Sequence, residues 1–217
     1  MIIIVYSIII EIALWLFIIT TISILLPPAF SALSLPLLVF WRFRSSVFSF
    51  SSPHQTLPYR ILRHWPYIFL LLSATVNKIN IFETLKAYPL ETTIAPFKEE
   101  MIYRLIIPRI IMVRFSAPSK SIKWVSTLIS SVLFCYAHRT SFNNPLLDMP
   151  VCFISAIALG NRSQKNFISI FETLAIHALH NMHVVNNELR MIPPISAYAN
   201  PVAFYGSLLV TDIWLEK

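Results

Sequence analysis

The sequence predicts an all-α protein, a polytopic transmembrane bundle of about eight spans and no fewer than about six. Three observations predict it. The 217-residue chain is 56% hydrophobic and 12% charged, whereas soluble domains average about 45–50% apolar and about 25% charged. The apolar excess lies in long runs separated by short basic or Pro-rich breaks. Those breaks alternate in charge along the chain, as loops on opposite faces of a membrane do. No polar linker is long enough to divide the chain, so residues 1–217 read as a single transmembrane domain.

The opening run, MIIIVYSIIIEIALWLFIITTISILL, lacks the basic start and small-residue cleavage site of a signal peptide and reads as a retained span, 2–26. Glu11 lies inside it, where a carboxylate is costly and calls for a partner. The next candidate, 28–41, is short, begins with Pro28 and contains Pro36. Further spans are read at 66–82, 97–113, 122–138, 146–160, 167–186 and 195–211. Glycine occurs only at Gly160 and Gly206, so close helix packing has to rely on Ala and Ser.

Charges sort the connections. Residues 42–65 carry Arg42, Arg44, Arg60 and Arg63, and the next connection mixes Lys78 and Lys86 with Glu83 and Glu91. Residues 109–123 carry Arg109, Arg114, Lys120 and Lys123, whereas 139–145 has Arg139 alone. Arg162 and Lys165 mark 161–166, and Glu188 with Arg190 marks 187–194. Every second connection is the basic one, the pattern of eight spans with both termini in the cytoplasm. The net charge of +7 therefore reports topology, and nucleic acid is not expected as a partner. Cys135 and Cys152 lie in apolar segments without a CxxC or metal-type spacing, so neither a disulfide nor a zinc framework is read.

Three polar constellations remain. Glu99 and Glu100 open the fourth span with Arg104; Glu100 and Arg104, four apart, share a helical face, and Glu99 points about 100° away. One glutamate can thus be held by Arg104 while the other stays free for chemistry, although such a hexapeptide alone also reads as a charged helix start at the membrane surface. The second constellation is Phe134 with His138, one turn apart at the end of the fifth span. The third is IHALHNMH, in which His177 and Asn181 share a face, His180 lies beside it and His183 follows. Buried polar groups in lipid need partners or water. The fourth span begins with Glu99 toward the membrane face at which the fifth ends with His138, and the seventh places His177 near mid-depth with Asn181 a turn nearer that face, so the three sets can converge.

In this order, Glu99-Glu100-xxx-Arg104, Phe134-xxx-His138 and His177-xxx-Asn181 resemble the CAAX-protease and bacteriocin-processing family of intramembrane glutamic endopeptidases, whose pattern is EExxxR, FxxxH, HxxxN. The resemblance covers about residues 85–190. It extends to the lead-in APFKEE and to ALGN (158–161), which is similar to a small-residue turn before the last motif span. Family members commonly have Gly where this chain has Leu105 and Cys135, departures that touch local packing and substrate shape.

The resemblance implies hydrolysis of a peptide bond near a membrane-embedded or lipidated segment by a Glu-activated water. Such chemistry needs a base for water and a donor for the oxyanion. The implied base is Glu99, assisted by His138, with His177 and Asn181 holding the oxyanion. Glu100 and Arg104 would support them and Phe134 would pack the site. That scheme uses no cofactor and no metal; a zinc ion on Glu99, His138 and His177 is the alternative in coordination terms, with HExxH absent. The implied partners are a peptide or protein substrate, lipidated in some relatives, and the bilayer. The implied location is a prokaryotic inner membrane. Two other readings stay open: a non-catalytic bacteriocin-immunity or chaperone-like member, and a small transporter using Glu11, Glu99 and the histidines as a relay. The charge alternation puts the motif ends away from the cytoplasm, whereas prenyl-tail processing calls for cytoplasmic access.

Overall fold

A computed structural model describes residues 2–25, 57–76, 79–115, 119–164, 168–190 and 194–214, and these are all-α. The helices are α1 (Ile2–Leu25), α2 (Leu57–Val76), α3 (Ile81–Ala87), α4 (90–113), α5 (Lys120–His138), α6 (Pro145–Ser163), α7 (Ile168–Arg190) and α8 (Pro194–Trp214). α4 is composite: a π turn Leu90–Ile94, an α piece Ala95–Glu100, a second π turn Met101–Ile106 and an α piece Ile107–Val113. The glutamate pair thus sits between two π turns, a feature often found at functional sites. Capping sets two starts. Asn80 Oδ1 accepts the Glu83 N–H at 3.3 Å to open α3, and Ser119 Oγ accepts the Ile122 N–H at 3.3 Å to open α5.

Several boundaries differ from the sequence reading, for one physical reason. Charged residues mark the edge of an apolar layer, but backbone hydrogen bonding carries a helix through that edge. α2 begins at Leu57 rather than 66, so Arg60 and Arg63 lie in its first turns, and it ends at Val76. The connection expected at 83–96 is helical, with α3 and the start of α4 inside it. α6 runs on through Arg162, which is buried rather than in a loop, and Ala158, Leu159, Gly160 and Asn161 belong to that helix rather than to a turn. The candidate span 28–41 lies outside the described residues. Among the described residues no helix, judged alone on length and hydropathy, is long and apolar enough to cross a membrane.

Packing builds around α4, α6 and α7. α6 lies against α5, α7 and α8, α7 lies against α2 and α4, and α1 lies against the end of α4. Trp15 of α1 joins Met101, Leu105, Ile106 and Ile110 of α4 and Ile170 of α7 in one cluster, so Leu105 fills a core position. A second cluster joins Leu70, Leu159, Ile176, Phe204 and Leu208 from four helices. Charged pairs fasten the ends. Glu11 pairs with Arg114 beyond the end of α4, which supplies the partner its position demands. Arg162 of α6 reaches Glu172 of α7 at 3.3 Å and Asp212 of α8 at 3.7 Å. Gly160 lets α6 approach α5 closely: a Cβ there would lie 2.9 Å from Thr127 Cγ2 and 3.9 Å from Arg104 Cδ.

Candidate active site

Three helices deliver the polar groups. The α piece of α4 presents Glu99 and Glu100, the last residue of α5 is His138, and the middle of α7 carries His177. Glu99 stands between the two imidazoles, with Oε1 3.3 Å from His138 Nε2 and Oε2 3.5 Å from His177 Nε2. Its neighbour points inward. Glu100 Oε1 accepts from His177 Nδ1 at 2.9 Å, and its Oε2 lies 3.8 Å from Arg104 Nε. A gradient of exposure follows: the side chains of His138 and Glu99 are 29% and 22% exposed, that of His177 9%, and those of Arg104 and Glu100 1% and 0%.

The hydrogen bonds fix the tautomers. His138 Nδ1 lies 2.8 Å from the Phe134 carbonyl, which can only accept, so that nitrogen carries the hydrogen. The Nδ1 of His177 donates likewise to the Glu100 carboxylate. Both Nε2 atoms therefore turn toward Glu99.

Phe134 is the hub of the packing. Its ring centroid lies 4.2 Å from that of His138, 6.2 Å from that of His177 and 5.3 Å from that of Tyr103, and the Arg104 guanidinium carbon lies 4.8 Å from it. Stacking on the ring face adds a cation–π attraction for a buried arginine. Cys135 and Cys152 pack beside this ring as free thiols.

The structure thus brings together Glu99, Glu100, Arg104, Phe134, His138 and His177. It does not bring Asn181 to them: the Asn181 amide donates at 2.9 Å to the Glu91 carbonyl in the first π turn of α4. His180 packs its ring on Tyr205 at 5.3 Å, and His183 Nε2 lies 3.1 Å from the Leu70 carbonyl. Among the described residues no group of three or more His, Cys, Asp or Glu is arranged to hold a metal ion. Sequence reasoning missed Tyr103, Thr127 and Ser130, which pack on or behind the motif residues. The signal available was the Ser126, Thr127, Ser130, Ser131 stripe at helical spacing on α5.

Residues 82–183 match the family model described as Type II CAAX prenyl endopeptidase Rce1-like. No curated protein and no solved structure matches the chain.

Proposed function

Because residues 82–183 belong to the Rce1-like CAAX prenyl endopeptidase family, a family of membrane peptidases, we propose that this protein is an intramembrane glutamic endopeptidase. It hydrolyses a peptide bond near a membrane-embedded or lipidated segment of a peptide or protein substrate. The observation that carries the reading is the placement of the Glu99 carboxylate between two imidazole Nε2 atoms, at the more exposed edge of an otherwise buried charge cluster.

In the proposed reaction a water beside Glu99 attacks the scissile carbonyl carbon and gives its proton to the Glu99 carboxylate. His177 Nε2 donates to the developing oxyanion. The proton held by Glu99 then passes, with His138 as carrier, to the leaving nitrogen as the C–N bond breaks. Glu100 holds the far nitrogen of His177 and is itself held by Arg104, while Phe134 packs both imidazoles. Asn181 is left out of the oxyanion pair, since its amide serves Glu91.

Support for a bilayer setting comes from which faces are apolar rather than from run length. On α5 the outer face carries Val125, Leu128, Ile129, Val132 and Tyr136, all exposed, whereas Ser126, Thr127, Ser130 and Ser131 are buried. In water that helix would be inside out. In lipid small hydroxyl residues belong between helices and large apolar ones outside. α1 adds to this: Ile9, Ile10, Leu14 and Phe17 are exposed along it.

The test is cleavage by the purified protein of a farnesylated peptide ending in a CAAX sequence, alongside a panel of unlipidated apolar peptides. Glu99→Gln and His138→Ala are expected to abolish cleavage while the protein still inserts and elutes as one species. Undiminished cleavage by Glu99→Gln would overturn the reading.

A further inference from the structure

α4 repeats one backbone device twice, once on each side of the glutamate pair. Each π turn is followed by an α piece whose second residue is proline, Pro96 after Leu90–Ile94 and Pro108 after Met101–Ile106. In the first, the Ala95 N–H bonds to the Leu90 carbonyl, so the next acceptor in the five-residue register is the Glu91 carbonyl. Its donor would be residue 96, and proline has no N–H. In the second, the Ile107 N–H bonds to the Ile102 carbonyl, and the next acceptor, the Tyr103 carbonyl, faces Pro108.

A backbone carbonyl without a donor is costly in lipid as in a protein interior, and of the two residues Tyr103 is half-buried and Glu91 exposed. Here both carbonyls receive a donor from another helix. Asn181 Nδ2 of α7 donates to the Glu91 carbonyl at 2.9 Å, and Ser130 Oγ of α5 donates to the Tyr103 carbonyl. These are the helices that carry the imidazoles: Asn181 lies one turn past His177, and Ser130 two turns before His138.

We propose that Asn181 and Ser130 are positioning residues, surrogate donors for Pro96 and Pro108. They clamp the segment bearing Glu99, Glu100 and Arg104 to α7 and α5, and so fix Glu99 between His177 and His138. Asn181 then acts on cleavage through α4 and not by touching the oxyanion. The effect on cleavage rests on the peptidase reading above; the clamping itself does not.

Proline removal supplies the test, because Pro96→Ala restores an N–H at the orphaned position. Asn181→Ala alone is expected to lower kcat about 100-fold with KM little changed, the scale of a misplaced catalytic group, and to lower the unfolding midpoint in mixed micelles. In the Pro96→Ala background the same Asn181→Ala change is expected to cost less than about threefold in rate, far below the loss from a removed oxyanion donor, and to leave the midpoint unmoved. Ser130→Ala in the Pro108→Ala background is the independent second cycle. Equal losses from Asn181→Ala with and without Pro96 would mean direct contact with substrate and would overturn the clamp. Equal shifts of the unfolding midpoint in both backgrounds would overturn it too. Were the parent protein to cleave nothing, the peptidase reading would fail, and the unfolding cycles would still decide the clamps.

Discussion

The two adjacent glutamates are expected to fail in opposite ways when neutralised. Glu100 is fully buried, accepts from His177 at 2.9 Å and lies 3.8 Å from an arginine side chain that is 1% exposed. Glu100→Gln keeps an acceptor for His177 but removes the charge opposite Arg104. Leaving one partner of a buried ion pair uncompensated costs about 3–5 kcal/mol. Glu99 is 22% exposed and its two contacts are longer, 3.3 and 3.5 Å. Partly solvated pairs of that kind contribute about 0.2–1 kcal/mol, so Glu99→Gln is expected to fold almost as stably as the parent. Its loss appears in rate: removing a general base costs about 10²–10⁴-fold, equivalent to about 2.7–5.4 kcal/mol of barrier at 1.36 kcal/mol per decade. The assay pairs reversible unfolding by a denaturing detergent with cleavage per folded molecule. A Glu100→Gln protein as stable as the parent would refute the buried-pair argument, and a Glu99→Gln protein that cuts at parental rate would refute the base assignment.

Three other expectations concern packing and orientation. Gly160→Ala pushes a methyl against Thr127 Cγ2, at 2.9 Å before relaxation, and is expected to cost about 1–3 kcal/mol by overpacking. Thr127→Ser should recover most of it in the double variant, since serine lacks that methyl but keeps the hydroxyl that donates to the Lys123 carbonyl at 3.1 Å; no recovery would disprove the contact. Glu11→Gln is expected to lower the unfolding midpoint by loosening α1 from Arg114, by about 0.2–1 kcal/mol for a partly solvated pair, with partial recovery on exchanging the two charges. On the membrane reading the charge pattern predicts an orientation for the bundle: Asn143→Cys, in the segment that follows His138, should react with a membrane-impermeant maleimide in intact spheroplasts, whereas Ser121→Cys at the basic end should react only after lysis, with the parent chain as blank; the reverse labelling would turn the site to the cytoplasm.

The all-α class, though not the membrane spans, and the convergence of every motif residue but Asn181 were legible because each rests on a local pattern. Glu100 and Arg104 are spaced to pair on one face, and the structure places them as an ion pair. Helix ends were less legible, since Arg60, Arg63 and Arg162 signal a change of environment while the backbone continues helical through it. The destination of Asn181 was not legible at all. It depends on a π register in α4 that turns Pro96 into a missing donor for Glu91, and a spacing of four residues on α7 carries no trace of that register.

His177 links the two failure modes. Adjacent residues on a helix diverge by about 100°, yet both carboxylates meet this one imidazole, because its two nitrogens face opposite ways: Nδ1 inward to Glu100 and Nε2 outward to Glu99. Replacing the ring by an apolar one of similar shape separates its packing from its polarity. In His177→Phe the edge-on packing against Phe134 at 6.2 Å can persist, while Glu100 loses its imidazole donor and keeps Arg104. Losing a hydrogen bond to a buried charged group costs about 1.5–3 kcal/mol, less than losing the ion pair. Removing an oxyanion donor costs about 10²–10³-fold in rate. His177→Phe is therefore expected to be both less stable than Glu99→Gln and less active than its own folded fraction explains. A variant that lost stability in proportion to activity, with normal cleavage per folded molecule, would reduce His177 to a structural strut and return the oxyanion to another donor.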